Sequence, residues 1–165
     1  MVSAHWRRPR RSVVALVVIF LGVFAAVPSA VANGGSGQRS NVQHFIGLST
    51  DPSNMNAFII ATGPIHARGT DVTVSGTRDR FKFPRGTLFI THRASKPATN
   101  RFDKVTCYFT FTERGTYRVT GGTGAYAHAS GNGRYSLKGS GIACDQKAPP
   151  TVFTIEIRAS GPLRF

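Results

Sequence analysis

Residues 105–112 read Val105-Thr-Cys-Tyr-Phe-Thr-Phe-Thr112, and residues 151–159 read Thr151-Val-Phe-Thr-Ile-Glu-Ile-Arg-Ala159. In the first stretch Val105, Cys107, Phe109 and Phe111 alternate with Thr106, Tyr108, Thr110 and Thr112. In the second, Phe153, Ile155, Ile157 and Ala159 share a face with Thr151, and Val152, Thr154, Glu156 and Arg158 share the other. A period of two belongs to a β-strand, whose successive side chains point to opposite faces. A helix would repeat its apolar positions every three or four residues, and no stretch beyond residue 40 does so.

Working outward, similar short segments recur at 42–48, 57–61, 71–75, 80–83, 87–92, 116–120 and 134–138. Turn formers separate them: Asp51-Pro52-Ser53-Asn54, Gly63-Pro64, Pro84-Arg85-Gly86, Gly131-Asn132-Gly133 and Pro149-Pro150. Short strands punctuated this way predict one all-β domain over residues 42–165. A chain this small must close into a barrel or stack two sheets, because open edges invite pairing with other chains.

The start of the chain is an address. Arg7, Arg8, Arg10 and Arg11 precede an apolar run from Val13 to Val27, and Ala30-Val31-Ala32 follows. A basic start, a short apolar run and an A-x-A ending predict a secretory signal peptide over residues 1–32, removed after Ala32. The run is about five residues short of the roughly 20 that span a bilayer. Residues 33–41, opening Asn33-Gly-Gly-Ser-Gly, form a flexible leader. Four of the 21 basic residues fall in the signal, so the exported part keeps 17 bases against 7 acids, a charge of +10. Its partners are expected outside the cytosol, where Cys107 and Cys144 pair as a disulfide.

Gly121-Gly122-Thr123-Gly124 after a strand has the look of a phosphate-cradling turn. Such a turn needs a helix behind it, and Gly131-Asn132-Gly133 ends any helix within two turns. A tight glycine bend with one short helical turn is the better reading. The segment Gly121-Gly-Thr-Gly-Ala-Tyr126 through Gly131, Gly133 and Tyr135 resembles the conserved corner of the allene oxide cyclase and dirigent barrels. The likeness is nearest to a secreted bacterial branch of that family. Phe83-Pro-Arg-Gly-Thr-Leu88 before the corner and Ala159-Ser-Gly-Pro-Leu163 after it fit the same pattern. The resemblance implies an eight-stranded antiparallel barrel with a pocket in its mouth, often assembled as a homo-oligomer. The catalytic residues of the plant members map onto no identifiable positions here.

The chain offers little ready-made chemistry. There is no G-x-S-x-G nucleophile elbow. His44, His66, His92 and His128 are scattered without the spacing of metal ligands, so neither metal nor cofactor is expected. Candidates for a ligand pocket are Glu156, His92, Arg118 and Tyr108. Glu156, on the more polar face of its strand, either pairs with a cross-strand base or enters the lumen, where apolar walls would raise its pKa. His92 ends an apolar strand after Leu88 and Ile90, and Arg118 and Tyr108 lie on strands beside the glycine corner.

Basic residues gather at Arg78, Arg80, Lys82 and Arg85, and again at Arg93, Lys96, Arg101 and Lys104 in a loop of about a dozen residues. With Phe81, Phe83 and Phe102 they suggest a stacking surface for single-stranded nucleic acid. Export argues against that partner, and alternation turns Phe81 and Phe83 inward. The expectation is a secreted barrel holding a small hydrophobic molecule in its lumen. The alternatives are a basic module adhering to anionic envelope polymers, or a cofactor-free isomerase or cyclase using the same pocket.

Overall fold

A computed structural model describes residues 41–53, 55–145 and 147–165. The expected signal peptide and most of the leader lie outside them. Among the described residues nine strands follow one another: β1 (Val42–Ser49), β2 (Asn56–Thr62), β3 (Ala67–Ser75), β4 (Arg78–Phe83), β5 (Gly86–Ala94), β6 (Thr99–Phe102), β7 (Tyr108–Gly122), β8 (Ser130–Ile142) and β9 (Val152–Arg164). A 3-10 turn, Gly124–Tyr126, separates β7 from β8. Every pairing is antiparallel, and each strand from β1 to β4 pairs with the next. β5 then pairs with β7, β7 with β8, β8 with β9, and β9 returns to β1. Eight strands thus form a closed antiparallel barrel. β6 stands outside the ring on the free first half of β7.

Three local readings need correction. The expected strands 116–120 and 105–112 belong to one 15-residue strand, β7, which begins at Tyr108. Val105 therefore does not share an interior face with Phe109. It lies 92% exposed in a turn where Asp103 Oδ1 accepts from the Val105 and Thr106 amides. The loop expected over 93–104 contains β6, whose residues are all exposed.

Alternation sorts interior from exterior as expected on most strands. Phe45, Ile59, Phe81, Phe83, Leu88, Ile90, Tyr117, Val119 and Leu163 meet in one core. Arg80 and Lys82 face out beside the inward Phe81 and Phe83. One end of the barrel is sealed. Gln43, fully buried, donates through Nε2 to the carbonyls of Thr62 and Ile65 and accepts from the Ile65 amide at 2.7 Å. All of its polar atoms are satisfied there, so a buried amide holds the plug without an orphaned group.

The glycine corner and the Phe83–Leu88 motif, far apart in sequence, interlock. The Thr123 amide donates to the Thr87 carbonyl, the Ala125 amide to that of Arg85, and Thr123 Oγ1 accepts from the Thr87 amide. The approach needs glycine on both sides. Gly86 has φ +150°, and a Cβ there would stand 2.1 Å from the Thr123 oxygen. Gly124 has φ +58°, and its Cβ would stand 2.4 Å from the Arg85 oxygen. Tyr126, buried on the 3-10 turn, packs edge-on against Phe83 and Phe165 beneath this corner.

Candidate functional site

Away from the Gln43 plug the barrel interior is not completely filled. A cavity of about 140 Å³ opens toward the β3–β4 turn at Ser75 and Gly76. Its inner wall is apolar: Phe45, Phe81, Ile90, Tyr117 and Ala159. Phe45 meets Phe81 edge-on at 5.2 Å and Tyr117 at 6.2 Å, so the aromatic rings brace one another. Nearer the mouth the wall turns polar, with Asp71 from β3, Asp79 from β4, His92 from β5, Glu113 from β7 and Tyr135 from β8.

These polar groups form two engaged pairs and one lone acid. His92 Nε2 lies 3.2 Å from Asp79 Oδ2. That hydrogen bond, helped by the charges of Asp79, Glu113 and Asp71, raises the His92 pKa above its ordinary value against the opposing effect of burial. Tyr135 donates its hydroxyl to Glu113 Oε1 at 2.5 Å, and its ring stands edge-on to His92 at 5.7 Å. Desolvation first, then the Glu113 bond, pushes the Tyr135 phenol well above its ordinary value. Burial alone moves Tyr117 up to about 12. Both tyrosines therefore act as donors or neutral surface, never as phenolates near neutral pH.

The Asp71 carboxyl makes neither a hydrogen bond nor an ion pair. It is 7% exposed, and its Oδ1 is fully buried without a partner. Burial, reinforced by the Asp79 charge, lifts its pKa to about 8, while His92 pulls the other way. At neutral pH the carboxyl is mostly protonated.

Of the four residues singled out from sequence, the lumen contains His92. Glu156 sits on the outer face of β9 and accepts a hydrogen bond from Arg158 Nε on the same strand. It points outward because Ile155 and Ile157 take the inward positions, and its partner stands on its own strand and not across from it as expected. Arg118, exposed on the outer face of β7, borders a shallow groove with Thr120 and Asn132. Tyr108, also exposed, opens β7 beside the disulfide. Parity separates all three from His92, since they occupy even positions on strands whose odd positions face in.

Sequence reasoning missed Asp71, Asp79, Glu113, Tyr117 and Tyr135. Extending the inward parity of Phe81 and Phe83 back to Asp79, and of Phe109 and Phe111 on to Glu113, would have found two of them. Asp71 carries the opposite signal. On β3 the apolar Val72 and Val74 face outward, Val74 being 47% exposed, and Asp71, Thr73 and Ser75 line the cavity. Among the described residues no cluster of His, Cys, Asp and Glu is arranged to hold a metal ion.

Fold and site together define a small closed antiparallel barrel with an aromatic inner wall and an acidic mouth. No family model matches the chain, and no curated protein or solved structure does so either. Cys107 and Cys144 are joined in a disulfide, a bond at home in an oxidising compartment. No helix among the described residues is long and apolar enough to cross a membrane.

Proposed function

We propose that this chain is an exported barrel that binds a small, largely apolar molecule in its lumen. The observation that carries the reading is the cavity inside the barrel, with aromatic walls and a few convergent polar groups. A cavity near 150 Å³ lined by apolar side chains accommodates a single aromatic ring, so the fitting molecule is compact. The corner's resemblance to allene oxide cyclase and dirigent barrels supports a mouth pocket, and the basic start with its A-x-A ending supports export.

A second reading, cofactor-free isomerisation or cyclisation, rests on a different observation. Asp71 holds a proton in the same cavity as the hydrogen-bonded Asp79–His92 pair, and a carboxyl kept protonated by burial beside a second titratable pair suits proton transfer. The adhesive alternative has behind it the exposed Arg78, Arg80 and Lys82 along the outside of β4.

One experiment separates these. A labelled sample is titrated in D₂O with single-ring ketones, and the aromatic resonances of Phe45, Phe81 and Tyr117 are followed. Saturable shifts at those rings are expected. Shifts confined to β4 and the outer face, or none, would overturn the lumen reading. Deuterium appearing next to the ketone carbonyl faster than in buffer would favour the isomerase, and an unexchanged ligand would leave binding alone.

A further inference from the structure

We propose that the lumen selects a small apolar amine, its ammonium group seated on Asp71. This deepens the lumen-binding reading and rests on it. The first ground is Asp71 itself. Native proteins rarely bury a carboxylate oxygen without a donor, yet Asp71 Oδ1 is buried, bare and on the cavity wall. Once ionised, the carboxyl is completed by a group that brings a donor into the lumen.

The second ground is charge. The cavity wall holds three carboxyls, from Asp71, Asp79 and Glu113, and one imidazole. Among the described residues no lysine or arginine lines it. His92 answers Asp79, and the Tyr135 hydroxyl answers Glu113. Asp71 is left without a counter-ion. An anionic ligand would meet net negative charge at low dielectric, and a hydrocarbon would leave the carboxyl unsatisfied. An ammonium supplies both the charge and the donor. The third ground is the neighbourhood: Phe45, Phe81 and Tyr117 offer the ring surface that attracts a desolvated cation and its apolar body.

The arrangement carries a pH signature. Free Asp71 keeps its proton up to about pH 8, so below that value an arriving ammonium must displace it. Amine affinity therefore rises with pH, by about tenfold per unit below the Asp71 pKa, and levels off above it. The titratable groups that share the cavity with Asp71 are Asp79 from β4, His92 from β5, Glu113 and Tyr117 from β7, and Tyr135 from β8, of which Asp79 and His92 act on its charge. Among them His92 also loses positive charge as pH rises through its raised pKa, which works in the same direction.

Titration of the full chain with benzylamine, benzyl alcohol and benzoate tests this. At pH 8 benzylamine is expected to bind at least about tenfold tighter than benzyl alcohol, and benzoate to be weakest, a charge-assisted bond being roughly twice a neutral one. Asp71→Asn should bring the amine down to the alcohol's affinity and leave the alcohol unchanged. The native chain, needing no substitution, should show amine affinity climbing from pH 6 to 8 while the alcohol's stays flat. Equal binding of amine and alcohol at the lumen rings, a preference for benzoate, or a flat pH profile for the amine would overturn the amine assignment and leave the lumen reading standing. Failure of all three compounds to perturb Phe45, Phe81 or Tyr117 would instead remove the lumen reading beneath it.

Discussion

At the scale of single residues, Asp71 places a burden on the fold that its site must justify. Its folded pKa of about 8 stands far above the unfolded carboxylate value near 4, because burial and the charge of Asp79 both oppose ionisation. The folded chain therefore holds a proton that the unfolded chain has released. The stability linked to this group is complete below about pH 4 and is lost as pH rises toward 8. His92 has the same sign: its raised pKa contributes stability below about pH 6.5 that disappears as pH climbs through the folded value. Asp51 and Asp103, whose carboxyls are lowered by hydrogen bonds to nearby Ser53 and to the Val105 and Thr106 amides, act only at more acid pH. Asp71→Asn, which removes the titration and keeps the shape, should melt several degrees higher than the native chain at pH 8. The two melting temperatures should converge near pH 4. A gap that is constant across pH 4, 6 and 8 would show that the site's electrostatics play no part in it. Gain of stability with loss of amine binding is the pattern expected of a residue retained for its ligand.

At the scale of elements, β7 and β8 form the longest ladder of the sheet, from Tyr108↔Ile142 to Val119↔Gly131. Its far end projects past the β5 contact, and there the disulfide clamps it. Cys107 and Cys144 flank the last rung, with the Ala143 amide donating to the Cys107 carbonyl at 3.0 Å. The bond closes a loop of 37 residues, which in the chain-entropy view stabilises by roughly 4 kcal/mol. Cys107→Ser should then lower the melting temperature by about 10 °C, and reducing agent should do the same to the native chain but nothing to the variant. An unchanged melt would deny the clamp a structural role. Much at this scale is legible in the sequence where one face of a strand is apolar throughout. Phe153, Ile155 and Ile157 announce β9, and Leu88 and Ile90 announce β5 with His92 on the same face. Legibility fails where that premise fails. β6 packs on no core, so Thr99-Asn-Arg-Phe102 carries no alternation to read. Glu113-Arg114-Gly115 looks like a break between strands, yet β7 runs through it. Gly115 is interior, with the Tyr135 ring lying where its Cβ would be, 2.5 Å away. β3 is inverted, with Asp71 inside and Val72 and Val74 outside. Asp71 is illegible for that reason: it departs from the apolar-inward rule that locates the core.

At the scale of the molecule, the decisive contact is the seam between the first and last strands. β1 pairs with β9 from Val42↔Pro162 to Ser49↔Ile155, joining the two ends of the barrel's chain. Without that seam β1 and β9 would be open edges, and the cavity would lose the wall formed by Phe45, Ile157 and Ala159. Such a contact is costly in loop entropy and is rewarded only when the intervening strands are also in place. The ring should accordingly open as one unit. β6 is outside it, four residues long, wholly exposed and bonded to β7 alone. Native-state hydrogen exchange distinguishes the two behaviours. The inter-strand amides of β1, β9 and the β5-paired half of β7 should share the exchange free energy of global unfolding. Those of β6 should exchange at least about a hundredfold faster through local fraying. If the β1 and β9 amides instead exchanged as fast as β6 while β7 and β8 stayed protected, the seam would be an edge that comes and goes. A lumen walled by such an edge could not hold Asp71 dry, so the raised carboxyl and the amine site would be lost together with the closed ring.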